Sequence, residues 1–159
     1  MSHRCYSSWQ KRNDISSQAI FTGAPEYNNF SISFINDGFY CQYYGGFGYH
    51  STPFSNEGGW VQADLRAPRT LLCLKVPVRS SKVYRTANFD ELEIRFGNKS
   101  REDDFSKNLV IISRTAHGLE GKIFEYCLDR PLVGRYLLIQ EKRSSDDSIY
   151  IGEIQIIVN

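Results

Sequence analysis

Residues 70–78 read TLLCLKVPV and residues 91–96 read ELEIRF, and these two stretches decide the fold class. Apolar side chains recur at every second position in each. Leu72, Leu74, Val76 and Val78 share one face of the first stretch, and Leu92, Ile94 and Phe96 share one face of the second. A repeat of two marks a half-buried β-strand, because successive side chains leave opposite faces of the pleat. Stretches rich in β-branched and aromatic residues at 109–112, 122–127, 135–140 and 149–158 read as further strands. Turn chemistry separates them at Gly97-Asn98, His117-Gly118, Asp129-Arg130-Pro131 and Gly134. Helical periodicity is nearly absent. Many short strands without intervening helices predict an all-β antiparallel sandwich or barrel.

The 159 residues, 41% hydrophobic and 23% charged, suit one domain with a sizeable core of its own. Residues 1–14 are polar and read as an arm, leaving 15–159 as the sandwich. Residues 22–60 break the strand pattern, running through Gly23, Pro25, Asp37-Gly38, Gly45-Gly46, Gly48 and Gly58-Gly59 among Tyr and Phe. Such a stretch reads as ordered surface loops, where function concentrates. The opening, Met1-Ser2-His3-Arg4-Cys5, lacks the apolar core of a secretory signal, so the chain is either leaderless or numbered after processing. Two sequons, Asn29-Phe30-Ser31 and Asn98-Lys99-Ser100, occur at about the frequency chance gives and do not bear on secretion.

Charge and motif content exclude several function classes. Nineteen basic against eighteen acidic residues give a net charge of +1, which argues against a nucleic-acid partner. No apolar run is long enough for a transmembrane segment. Cys5, Cys41, Cys73 and Cys127 contain no C-x-x-C, which excludes a zinc ribbon and leaves three full disulfide pairings open. No G-x-S-x-G, H-E-x-x-H or Gly-rich phosphate loop is present, so the chain does not read as an enzyme. Between Asp64 and Asp90 lie six cations (Arg66, Arg69, Lys75, Arg79, Lys82 and Arg85) and no anion. That run is either a solvated face or a site for a hydroxyl-rich or anionic ligand.

Five motifs in order narrow the fold. Ile35-Asn36-Asp37-Gly38 and then 59–65, GWVQADL, resemble the DG turn and W-V-Q-V-D-L strand of the discoidin and coagulation-factor C-type domains. The stretch 93–98, EIRFGN, is similar to their E-I-R-x-G strand. The stretch 134–139, GRYLLI, is similar to their G-R-Y-V-x-I, and 151–154, IGEI, to their L-C-E-V. The resemblance implies an eight-stranded antiparallel jelly-roll β-sandwich of the galactose-binding-like class.

Within that superfamily the functional pattern resembles the F-type lectins, or fucolectins. By that resemblance His50, Arg79 and Arg85 would contact a terminal sugar of the fucose or galactose type on a glycan or glycoprotein. Ser81 stands where the family has an Asp, and Val83-Tyr84 where many members have adjacent cysteines. The chemistry suits a sugar independently: Arg offers a planar fork of donors, and a neutral His donates from one ring nitrogen. Tyr84 or Tyr49 would cover the apolar C–H face of the sugar. The resemblance also implies a structural Ca²⁺ held by the side chains of Asp37 and Glu153 and by carbonyls of Phe34, Phe39 and the Gly48–Tyr49 loop. Gly152 replaces the family's Cys beside that Glu, so its terminal disulfide cannot form. Single-site affinity of about 0.1–1 mM would call for a homo-oligomer, and most relatives are extracellular. The competing reading is a cell-adhesion domain engaging protein or lipid through Phe39, Tyr40, Tyr43, Tyr44 and Phe47.

Overall fold

The computed structural model describes residues 5–7, 13–41, 48–51, 58–77, 91–115, 123–141 and 149–159. They form ten strands: β1 Cys5–Ser7, β2 Ile20–Gly23, β3 Phe39–Cys41, β4 Tyr49–His50, β5 Trp60–Pro77, β6 Glu91–Gly97, β7 Leu109–Thr115, β8 Ile123–Glu141, β9 Tyr150–Ile151 and β10 Gln155–Val158. Three short 3-10 turns accompany them, and the described residues contain no α-helix. All pairing is antiparallel, so the fold is the all-β sandwich expected from the period-two pattern. Among the described residues no helix is long and apolar enough to cross a membrane.

The six-stranded main sheet runs β10-β5-β8-β6-β7, with β2 also on β5. β5 and β8 are its long members. The first half of β5 pairs with β2 and with the end of β8, and its second half pairs with β10 and the beginning of β8. Val61, Ala63 and Leu65 from the first half and Leu74 and Val76 from the second all enter one core. The ribbon therefore bends at its middle and lines the core with both halves. Ile94, Phe96, Leu137, Ile139, Ile151 and Ile156 fill the space between.

The expected pattern on β6 is what forms: Leu92, Ile94 and Phe96 are all buried. β5 differs. Leu74 and Val76 point inward as expected, but Leu71 is buried in place of Leu72. A register shift between Leu71 and Cys73 reverses the alternation at that point. Val78 lies outside the described residues. Two expected turns, Asp129-Arg130-Pro131 and Gly134, instead lie inside β8. Pro131 falls in the stretch between Leu132, which pairs with Leu71, and Cys127, which pairs with Cys73. The ladder there skips residues, and a proline needs no N–H. Gly134 sits against Gly97, where a Cβ would come within 2.9 Å of the Gly97 Cα.

Cysteine pairing is settled for one pair: Cys73 and Cys127, direct partners on β5 and β8, form a disulfide. Cys5 on β1 is the backbone partner of Cys41 on β3. The outer face of the sheet is covered by residues 98–108. Arg95 donates to the Ser106 and Asn108 carbonyls at 2.9 and 3.0 Å, and the Arg101 N–H donates to Gln62 at 2.6 Å. The Arg101 guanidinium lies 4.2 Å over the Trp60 ring.

At the bend, Arg66 takes a left-handed conformation (φ 65°) and donates its N–H to Asp64. Arg135 grips the same carboxylate with two bonds, at 2.7 and 2.8 Å. These contacts, led by the Arg135 bond, hold the Asp64 carboxyl below the usual carboxylate range. A depressed carboxyl adds stability above its unfolded value near pH 4 and loses it as pH falls through the folded value. Asp64→Asn should therefore lower the urea midpoint at pH 7. The gap to the parent should shrink below about pH 4, measured by urea titrations at several pH values.

Candidate functional site

The two-residue ladder β4–β9 pairs Tyr49 with Ile151 and His50 with Tyr150. Ser51 continues it: its N–H donates to the Ile149 carbonyl at 3.0 Å, and its Oγ accepts from the Ile149 N–H at 2.9 Å. Gly59 packs into the same knot, where a Cβ would meet the Ile149 nitrogen at 2.5 Å and the Ser51 Oγ at 3.0 Å. The Glu141 N–H donates to the Gly59 carbonyl at 2.9 Å, and Glu141 is the β-partner of Leu92. The backbone of His50, the start of β5, the end of β8 and the start of β6 thus meet at one end of the sandwich.

Arg79, Tyr84 and Arg85 belong to residues 78–90, outside the described residues. β6 itself begins at Glu91, beside the His50 knot. The backbone of His50 is placed in β4. Tyr49 is a correction. It is fully buried, and its hydroxyl donates to the Ala24 carbonyl at 2.5 Å, so it cannot cover a ligand's apolar face. Burial pushes its phenol well above the usual range, with the Glu26 charge adding to the effect. An aromatic neighbour of glycine in a loop looks available from sequence, but strand pairing turns this one into the core.

The cationic run is divided by the fold. Lys75 is buried and pairs with Glu125 at 2.6 Å. Arg66 lies at the bend of β5, roughly 20 Å from Trp60 along the strand at about 3.3 Å per residue. Arg69 joins the paired ladder again just past that bend. Lys75 is thus committed to Glu125, and the two arginines belong to the bend.

The second constellation comes together. Glu153 follows β9 and is 3% exposed. Its carboxyl accepts a hydrogen bond from the Gly38 N–H and shares one with Asp37, which sits at the surface of the DG turn. Burial, reinforced by the Asp37 charge, pushes the Glu153 carboxyl up to about 9. Its Oε2 is buried with no hydrogen-bond partner among the described residues. The adjacent Ile154 N–H donates to the Ile35 carbonyl at 2.8 Å, which pins this strand to the 3-10 turn Ile32–Ile35 containing Phe34. Gly48, at φ 148°, approaches the Ile151 carbonyl so closely that a Cβ would stand 3.0 Å away. Phe39 begins β3 directly after the turn.

Two neighbouring carboxylates, one buried with an oxygen to spare, can accept a hard cation. Further ligands would be carbonyls and water, since no group of three or more His, Cys, Asp or Glu in metal-binding proximity occurs among the described residues. Sequence reading missed Asp14, whose charge also raises Glu153. Asp14 accepts from the N–H groups of Ser16 at 2.9 Å and Ile156 at 3.3 Å. It missed Ser51, which carries no motif, and it gave Gly59 no packing role although Gly59 opens the GWVQADL stretch.

The same β-sandwich fold occurs in solved structures of lectins and carbohydrate-binding modules. A fucolectin from striped bass (Morone saxatilis) serum superposes with a TM-score of 0.79 at 14% identity, over 94% of this chain and 50% of that one. The chain thus spans half the length of that lectin. A family 32 carbohydrate-binding module of Clostridium perfringens NanJ, solved with galactose, gives 0.70 at 14% identity, over 91% and 97%. A fucose-binding module of Streptococcus pneumoniae gives 0.69 at 13% identity, over 92% and 95%. No protein-family model and no curated protein sequence matches the chain.

The contact distances at Gly59 leave no room for a methyl group. Gly59→Ala should destabilise the fold by about 1–3 kcal/mol, read as a lowered denaturant midpoint.

Proposed function

We propose that this protein is a non-catalytic glycan-binding module that recognises terminal sugars of the fucose or galactose type. One observation carries the reading: the backbone of His50 lies at the end of the sandwich where β6 begins at Glu91, and Arg79, Tyr84 and Arg85 fall in the sequence between β5 and β6. Structural likeness to proteins whose names state fucose or galactose binding supports it. In this reading the two guanidinium groups donate to sugar hydroxyl and ring oxygens, and neutral His50 donates one further bond. Tyr84 takes the platform role alone, because Tyr49 is in the core. Arg79→Ala should weaken binding to fucosylated or galactosylated glycans by roughly tenfold or more, measured by calorimetry on the folded variant. Unchanged affinity would remove Arg79 from the site.

A calcium ion belongs to the same proposal. Asp37 and Glu153 would supply carboxylate oxygens, with carbonyls of Phe34, Phe39 and Gly48 and with water completing the six to eight ligands Ca²⁺ takes. The orphaned Glu153 oxygen and the nearness of Asp37 support this assignment. The ion would be structural, tying the DG turn to the strand that carries the His50 ladder. Calcium at about 100 times its Kd should raise the melting temperature by about 5–10 °C. Glu153→Gln should abolish that rise, and in chelator it should melt no lower than the parent. A parent protein indifferent to calcium would remove the ion from the account.

The binding module would work outside the cell, where the Cys73–Cys127 disulfide is stable. Weak single sites would be used through several copies, on glycans or glycoproteins of cell surfaces.

A further inference from the structure

His50 stands between two side chains that are both fully buried and both hydrogen-bonded to segments distant in the chain. On one side the Tyr49 hydroxyl donates to the Ala24 carbonyl at 2.5 Å and lies 3.5 Å from the Trp60 carbonyl. Gly23 makes room for it, since a Cβ there would come within 2.6 Å of the hydroxyl oxygen. On the other side the Ser51 Oγ accepts from the Ile149 N–H, and the Ser51 N–H donates to the Ile149 carbonyl. Gly59 makes room there. The β4–β9 ladder that holds His50 is only two residues long, continued by the Ser51–Ile149 backbone bond and flanked by a Glu26–Ser51 bridge, so the neighbouring side chains add to its hold.

These anchors do more than fill the core. Ala24 follows β2, Trp60 opens β5, and Ile149 precedes β9, so the two buried side chains tie His50 to three separate elements. A hydroxyl buried this deeply costs free energy unless its bonds are made, which fixes both side chains in one geometry. A contact residue on a weak sugar site gains most from such prior ordering, because affinity lost to reorganisation cannot be recovered from few contacts.

We infer that Tyr49 and Ser51 are positioning residues that clamp the backbone of His50 for ligand contact. The inference rests on the glycan-binding reading and adds to it two residues that never touch the sugar.

A double-mutant cycle tests it. Ser51→Ala and Tyr49→Phe each remove a hydroxyl with little change of shape, and each is made in the parent and in a His50→Ala background. Binding is measured by NMR titration with methyl α-L-fucoside and methyl β-D-galactoside, and folding is checked by thermal melts. Each single variant should weaken binding roughly three- to tenfold in the parent, the worth of about one hydrogen bond. In the His50→Ala background the same change should cost nearly nothing, because the residue it positions is gone. Equal losses in both backgrounds would mean a general structural role and overturn the inference. Parent-like binding by both variants would also overturn it while leaving the glycan reading intact. A parent protein that binds neither sugar would overturn the glycan reading and this inference with it.

Discussion

The β5–β8 ladder runs the full length of both strands, and the other strands of the main sheet attach to one or the other, β7 through β6. It must also bend, because both halves of the ribbon line the same core. A continuous ladder resists sharp bending, so pairing breaks between Asp64 and Arg69 and again between Leu71 and Cys73. Arg66 adopts the left-handed conformation that the turn requires, and Arg135 on β8 grips Asp64 on β5 across the break. The Cys73–Cys127 disulfide then joins the two strands just past the second irregularity. Without the bend the second half of the ribbon would carry Leu74 and Val76 away from Ile94 and Leu137.

Legibility in the sequence follows from this constraint. Glu91–Gly97 is flanked by β7 and β8 and keeps one register with β8 throughout, so its alternation of two reads directly as core and surface. The stretch 70–78 crosses an irregularity, so the same reasoning assigns Leu72 to the wrong face. Asp129-Arg130-Pro131 and Gly134 carry turn chemistry and do mark a change of direction, but that change occurs within a strand. Local propensity reports the bend without distinguishing it from a loop. Pairing geometry decides that, and the partner strand lies far away in the chain.

The site was legible unevenly. Asp37 and Glu153 came from resemblance alone, and the fold sets them in hydrogen-bond contact. Tyr49 was misread because its exposure depends on β4 pairing with β9, a two-residue ladder that no propensity scale detects. Ser51 left no sequence signal, since a buried serine looks like an ordinary loop residue, and Gly59 was visible only as the first residue of a motif and not as a packing constraint. The basic run looked like one feature in sequence, whereas the fold distributes Arg66, Arg69 and Lys75 along a strand and pairs Lys75 with Glu125.

The central claim is a location: a sugar held at the end of the sandwich where His50, Gly59, Glu141 and Ile149 meet. Amide chemical-shift mapping during titration with L-fucose and D-galactose tests it most directly. The account predicts that shifts concentrate at His50 and Ser51, at residues 78–90 and at the start of β6. Saturating shifts centred instead on the bend, at Asp64 to Arg69 and Asp129 to Arg135, would contradict it, as would a spectrum that neither sugar changes.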